Sequence, residues 1–183
     1  MLVLTGPSAS GKTEIVKILI AKYHLNKFVT YTTRPMRVGE VNGIDYHFIT
    51  TNEFLIMKDN NEFIETTYYN NNYYGSRIKD VDFNKVVILD PSGVNAFYQA
   101  IGEEIIAMFL DTPEEIRKIR MIERGDNLGI IEKRILSDRQ TFKKENYLHL
   151  DFSFKNLDID LESLADQIYQ TYLANSKPIN KGA

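Results

Sequence analysis

The sequence contains no cysteine, which removes disulfide frameworks and thiolate metal sites and leaves nothing that calls for an oxidising compartment. It also lacks any apolar run near the roughly 18 residues that a membrane-crossing helix needs. The apolar stretch Met1–Thr5 stands where a basic leader region would be, so the expectation is a cytoplasmic protein, neither exported nor membrane-spanning. Basic excess is missing too: 22 Lys and Arg against 25 Asp and Glu give a formal net charge of -3, which offers no general field for nucleic acid. The histidines His24, His47 and His149 show no ligand spacing, and neither repeats nor low-complexity tracts compete with a globular reading.

What is present fits one ordinary domain. The 183 residues are 43% hydrophobic and 26% charged, enough to bury a sizeable core. Met1–Thr5 reads as a buried parallel strand ending at Gly6, and from Thr13 the residues Ile15, Ile18 and Leu19 recur at helical spacing. Further strands are expected at Val86–Leu89 and Ile105–Leu110, each followed by a helix opening near Pro91 or Pro113. Alternating strand and helix implies an α/β fold with a parallel sheet flanked by helices. Between Phe28 and Ser76 the composition turns to Thr, Tyr, Asn and Phe, with β-favouring runs at Phe28–Thr33 and Glu62–Tyr69, so this reads as a small, mostly β insertion. Glu114–Asn146 predicts two helices joined at Gly125-Asp126-Asn127, and a final helix buries Leu161, Leu164, Ile168 and Tyr172. The tail after Asn175 reads as disordered.

Gly6-Pro7-Ser8-Ala9-Ser10-Gly11-Lys12-Thr13 fits G-x-x-x-x-G-K-[ST] between a strand and a helix. Glycine at each end lets successive backbone N–H groups curl inward and, with the positive end of the helix, cradle a phosphate. Lys12 supplies a mobile charge for the outer phosphate oxygens of a nucleoside triphosphate, and the Thr13 hydroxyl is a ligand for magnesium.

Thr30-Tyr31-Thr32-Thr33-Arg34-Pro35-Met36-Arg37, continuing through Val38-Gly39-Glu40 and Asp45-Tyr46-His47-Phe48, closely resembles the guanylate kinase signature. The resemblance extends through Asn61–Glu65 and Asn72–Ser76 and, more loosely, to the C-terminal helix. It implies an enzyme that moves a phosphoryl group from magnesium-ATP to GMP or dGMP. By that resemblance Thr30, Arg34, Arg37, Tyr46 and Tyr74 hold the GMP phosphate, Glu65 and Ser76 read the base beside Gly75, and Asp90 belongs to the same acceptor site. Two guanidinium forks suit a phosphate. A carboxylate suits the guanine N1–H and exocyclic amine, and a hydroxyl suits its O6. The same resemblance divides the chain into a core (1–29, 77–113 and 147–175), a GMP-binding subdomain (30–76), a lid (114–146) and a tail (176–183).

On the helix expected from Glu114 to Arg124, Arg117, Arg120 and Arg124 fall on one face, free to meet an anion, while Ile116, Ile119 and Ile122 fall on another. Arg120 and Arg124 match the family's lid arginines, as does Arg134 with a turn one residue shorter than usual. With Lys12 and Arg34 they form the expected catalytic set. The chain departs from the family pattern where two acidic residues usually follow the second strand. Here the matching pair is Ile88 and Asp90, Glu14 follows Thr13, and Pro91-Ser92 precede Gly93, which implies a divergent member with reduced activity. Two alternatives stand beside the nucleotide kinase: a non-catalytic guanylate-kinase-like binding module, and a phosphokinase acting on ribose bisphosphate. No membrane or nucleic-acid partner is implied, and both a monomer and a homodimer are compatible with the sequence.

Overall fold

All four residues of the first strand, β1 (Leu2–Thr5), are buried. Leu2 and Leu4 enter one apolar cluster while Val3 enters another. Alternate side chains of a strand face opposite ways, so β1 is covered on both faces, as a central parallel strand must be. The computed structural model describes residues 1–69, 71–157 and 160–176. The tail expected after Asn175 lies, beyond Ser176, outside the described residues.

After β1 come α1 (Lys12–Tyr23) and β2 (Asn26–Lys27), then β3 (Tyr31–Thr32), β4 (His47–Phe48), α2 (Thr51–Asp59), β5 (Phe63–Tyr69) and β6 (Asn72–Arg77). The chain continues through β7 (Lys85–Ile88), α3 (Pro91–Ile101), β8 (Ile106–Asp111), α4 (Glu114–Glu123), α5 (Leu128–Thr141), β9 (Phe152–Lys155) and α6 (Leu161–Asn175). The main sheet runs β2-β7-β1-β8-β9 with every pairing parallel. α1 and α6 supply Ile15, Leu19, Leu164, Ile168 and Tyr172 to one face, and α3 supplies Val94 and Phe97 to the other. The expected α/β architecture is therefore the observed one.

The second sheet, β4-β3-β6-β5, is mixed. It contains a helix that the β-rich composition hides. α2 opens on a capping box, in which the Thr50 hydroxyl accepts from the Glu53 N–H while the Glu53 carboxylate accepts from the Thr50 N–H. Phe54 of this helix is fully buried, stacked on Phe63 and Tyr73. Thr-x-x-Glu ahead of an apolar run was the available signal.

α4 and α5 form the expected pair, but the face of α4 that packs is not the isoleucine face. Arg117 and Met121 are buried, whereas Ile119 and Ile122 are 55% and 53% exposed. Met121, Ile131 and Ile135 build a small separate core, and Ala9 of the loop after β1 packs against it.

Candidate functional site

The turn from β1 into α1 is built on two glycines that no other residue could replace without strain. Gly6 has φ +140° and Gly11 φ +96°. A Cβ on Gly6 would meet the Leu110 carbonyl oxygen at 2.7 Å, and one on Gly11 would meet Asn156 Nδ2 at 2.7 Å. α1 starts from Gly11 with no side-chain cap, unlike α2, α3, α5 and α6. Its positive end is thus left to the loop, as an anion cradle requires.

Lys12 Nζ donates to the carbonyl oxygens of Gly6 (2.6 Å) and Pro7 (2.7 Å) and to Ser10 Oγ (3.1 Å). Burial pushes the ammonium down from its ordinary value to about 8, opposed by the Asp138 carboxylate and reinforced by Arg117. The loop is braced from outside. Thr112 Oγ1 and Asn156 Nδ2 both donate to the Ser10 carbonyl, at 3.1 and 3.0 Å. Ahead of the loop, Thr5 Oγ1 is hydrogen-bonded to the Tyr147 hydroxyl at 2.9 Å, which burial pushes up to about 12.

Arg120 comes to this loop from α4, donating to the Ala9 carbonyl and to Asn156 Oδ1, each at 3.2 Å. A cavity of about 240 Å3 is lined by Ala9, Ser10, Gly11, Lys12, Thr13, Arg120 and Arg124, so these expected residues share one site. Arg134 does not line it. Arg124 and Arg134 instead both donate to Asp126, the latter at 2.6 Å. Arg117 is no free member of an anion-facing row: its guanidinium pairs with Asp138 at 2.9 Å, with both side chains less than a tenth exposed. This corrects the expectation, because helical spacing shows which residues share a face but not what that face meets.

The second group gathers on the smaller sheet. Arg34 donates to Glu40 Oε1 at 2.7 Å and to the Pro35 carbonyl at 2.8 Å. Its guanidinium lies 5.4 Å from the centre of the Tyr46 ring, and Tyr46 meets Tyr74 edge to face at 6.1 Å. Glu40 also accepts from the Arg37 N–H at 2.7 Å, so one carboxylate sets both arginine positions, while the Arg37 side chain itself is exposed. Glu40 is held below the usual carboxylate range by Arg34 first and the Arg37 N–H second.

Glu65 on β5 and Ser76 on β6 are cross-strand partners. Ser76 Oγ, fully buried, donates to Glu65 Oε1 at 2.7 Å. Burial pushes the Glu65 carboxyl up, with Ser76 opposing and Asp90 adding to the rise. Gly75 is needed beside them, since a Cβ there would meet the Phe63 ring at 2.8 Å. Asp90 caps α3, accepting from the Gly93 N–H and the Ser92 hydroxyl at 2.8 Å.

Two clefts meet at Ile88. One of about 390 Å3 is lined by Thr13, Lys17, Thr30, Tyr46 and Ile88 among others, the other of about 480 Å3 by Glu65, Thr67, Ile88, Asp90 and Ser92 among others. One apolar residue, Ile88, thus lines both the cleft beside α1 and the cleft beside β5. Sequence reasoning missed Glu40, Asp126, Asp138, Tyr147 and Asn156. Only Glu40 and Asp126 lie close enough along the chain to the arginines they hold to have been found from local charge pairing.

For a divalent cation, the donor set on offer is a hard oxygen set. Thr13 stands at the start of α1 beside the loop, and among the described residues no group of three or more His, Cys, Asp or Glu forms a metal cage. Magnesium characteristically keeps its waters and is held by one or two protein oxygens plus phosphates, so the residues present fit it.

The guanylate kinase family model matches residues 1–170. A guanylate kinase from Anaplasma phagocytophilum is 32% identical over 178 residues, covering 92% of this chain and 83% of that protein. One from Helicobacter hepaticus is 32% identical over 169 residues, covering 87% and 83%. The crystal structure of the Anaplasma phagocytophilum guanylate kinase superposes with a TM-score of 0.63 at 25% identity, covering 98% of this chain and 87% of that one. Among the described residues no helix is long and apolar enough to cross a membrane. With the family model running over nearly the whole length and two relatives 32% identical across most of the chain, the chain belongs to the guanylate kinase family.

Proposed function

We propose that this protein transfers the γ-phosphoryl group of ATP to GMP or dGMP, with magnesium, in the cytoplasm as a step of purine nucleotide metabolism. The observation that carries the reading is the Glu65–Ser76 pair at 2.7 Å, whose Glu65 lines a cleft that shares Ile88 with the one beside Thr13 of the phosphate-loop helix. An ionised carboxylate accepts from the guanine N1–H and exocyclic amine together. A phosphokinase with a sugar acceptor has no use for that pair, and a binding module has no use for Lys12 and Thr13.

In this reading residues 30–76 form the acceptor subdomain, in which Thr30, Arg34, Arg37, Tyr46 and Tyr74 hold the GMP phosphate. Residues 114–146 form the lid, whose Arg120, Arg124 and Arg134 neutralise charge on the moving group once closure has excluded water. Asp126 holds Arg124 and Arg134 together until then. Thr13 would hold the magnesium ion, which when bound would neutralise charge on the phosphate oxygens. Ile88 puts an apolar group into both the cleft at Thr13 and the cleft at Asp90, which supports weak metal retention and slow turnover.

A coupled assay with ATP and a panel of GMP, dGMP, AMP and UMP across magnesium concentrations tests the proposal. GMP is expected to exceed AMP by roughly 10⁴-fold in kcat/KM, because adenine leaves buried polar groups unpaired. Equal rates on all four would overturn the assignment.

ATP affinity is also expected to depend on Lys12. Burial lowers its pKa to about 8, and the phosphates of bound ATP raise it. The lysine contribution to binding is then complete below about pH 8 and declines as pH rises through the bound-state value, by at most about tenfold per pH unit. Calorimetry at about pH 9 in two buffers of different ionisation enthalpy should register proton uptake on ATP binding; none would exclude this role.

A further inference from the structure

The Asp138 carboxylate, from the last turn of α5, reaches the phosphate loop rather than solvent. Its Oδ2 accepts from the Ser8 N–H and from Arg117, each at 2.9 Å, and its Oδ1 accepts from the Ser8 hydroxyl at 3.2 Å. Arg117, from α4, also donates to carbonyl oxygens, from Nε to Thr112 at 3.2 Å and from the terminal nitrogen that meets Asp138 to Ser8 at 3.4 Å. Both charged side chains are buried, at 6% and 9% exposure. Beside them, Ala9 packs on the Met121, Ile131 and Ile135 core of the two helices. Two helices and the loop thus share one polar knot and one apolar cluster.

A buried ion pair is poor evidence for stability, because desolvation cancels most of its attraction. What distinguishes Asp138 is that two of its three contacts go to a single loop residue, one of them to a backbone N–H. A carboxylate there fixes the orientation of the peptide between Pro7 and Ser8, and the Pro7 carbonyl is an acceptor for Lys12 Nζ. Turning that peptide would disturb the seat of the lysine that meets the donor phosphates. We propose that Asp138 is a positioning residue for the donor nucleotide, holding the Ser8 segment of the phosphate loop and, through Arg117, making the loop and the α4–α5 pair respond to ATP as one unit. The inference rests on the reading of this loop as an ATP cradle.

The test compares Asp138→Asn with the double variant Arg117→Met/Asp138→Leu, reading melting temperature and the binding of ATP and of GMP separately by calorimetry. Asp138→Asn leaves Arg117 buried without its counter-charge and is expected to lower the melting temperature. It should also weaken ATP binding about 10- to 100-fold. The double variant replaces the pair with apolar groups of similar volume, so the melting temperature should recover. Its Ser8 still has no carboxylate, so ATP binding should stay weakened while GMP binding changes less than about twofold. A double variant that binds ATP as tightly as the wild type reduces Asp138 to a structural role and overturns the proposal. So does an Asp138→Asn protein with unchanged ATP affinity. Wild-type protein that fails to bind ATP at all removes the cradle reading and this inference together, whereas wild type and variants binding ATP alike removes this inference alone.

Discussion

Glu65→Gln is expected to lower kcat/KM for GMP by about 10³-fold while leaving the fold intact. The glutamine keeps a carbonyl oxygen, so the Ser76 hydroxyl retains an acceptor in place of the one it now holds at 2.7 Å, and the cross-strand register of β5 and β6 is undisturbed. The loss falls on the substrate. A carboxylate presents two acceptors to the guanine N1–H and amine; an amide presents one acceptor and one donor, and the donor faces another donor. Hydrogen bonds to a charged group contribute about 1.5–3 kcal/mol each, and an unmatched buried donor adds its desolvation cost. The penalty on AMP should be far smaller, because its ring nitrogen is an acceptor that the new NH2 can satisfy. The ratio of the two kcat/KM values is therefore the sharper measurement. If it stays within about tenfold of wild type while circular dichroism shows a native fold, the carboxylate is not reading the base.

How far this site could be read from the chain depends on the sequence distance of the interactions. β1, the loop and α1 are consecutive, and their pattern is local: a buried strand, glycines at two forced backbone positions, and a helix with one apolar stripe. They were legible, as was the family signature from Thr30 to Phe48. The composition between Phe28 and Ser76 spoke for strands because Thr, Tyr and Phe favour them, yet the capping box at Thr50 started a helix inside that stretch. Propensity is a weak prior that a well-capped, well-packed turn overrides.

The α4–α5 pair shows a different limit. Isoleucines at 116, 119 and 122 suggest a buried stripe, and arginines at 117, 120 and 124 an exposed one. The structure turns this helix the other way because Asp138 on the next helix and the carbonyls of Ser8 and Ala9 supply partners for Arg117 and Arg120. An arginine goes inside when its donors are met there. Those partners lie 21 residues downstream and over a hundred residues upstream, beyond any periodicity in α4. Asn156 was hidden for the same reason, since its partners Ser10 and Arg120 are distant in the chain. Its side chain lies where a Cβ on Gly11 would go, so the glycine of the motif is required by packing as well as by its φ angle.

Lys12→Met is expected to reduce the rate of phosphoryl transfer by about 10³-fold, with the change in kcat and not only in the KM for ATP. The ammonium donates to the loop's own oxygens, those of Gly6, Pro7 and Ser10, beside the cavity that it lines with Thr13 and Arg120. Binding exchanges neutral acceptors for charged oxygens, and the gain grows as negative charge develops on the transferring group. Methionine keeps the apolar stem and nearly the length, so the loop should persist; it removes the charge alone. Lys12→Arg should not restore the rate. A planar fork cannot take the position of a point charge ringed by two carbonyls and a hydroxyl, and the space over the loop is already occupied by Arg120 at the Ala9 carbonyl. Single-turnover measurements with saturating ATP separate the two effects. A Lys12→Met enzyme whose single-turnover rate stays within tenfold of wild type would falsify the idea that this ammonium acts on the transition state, and would leave the main-chain amides and the lid arginines to carry the charge.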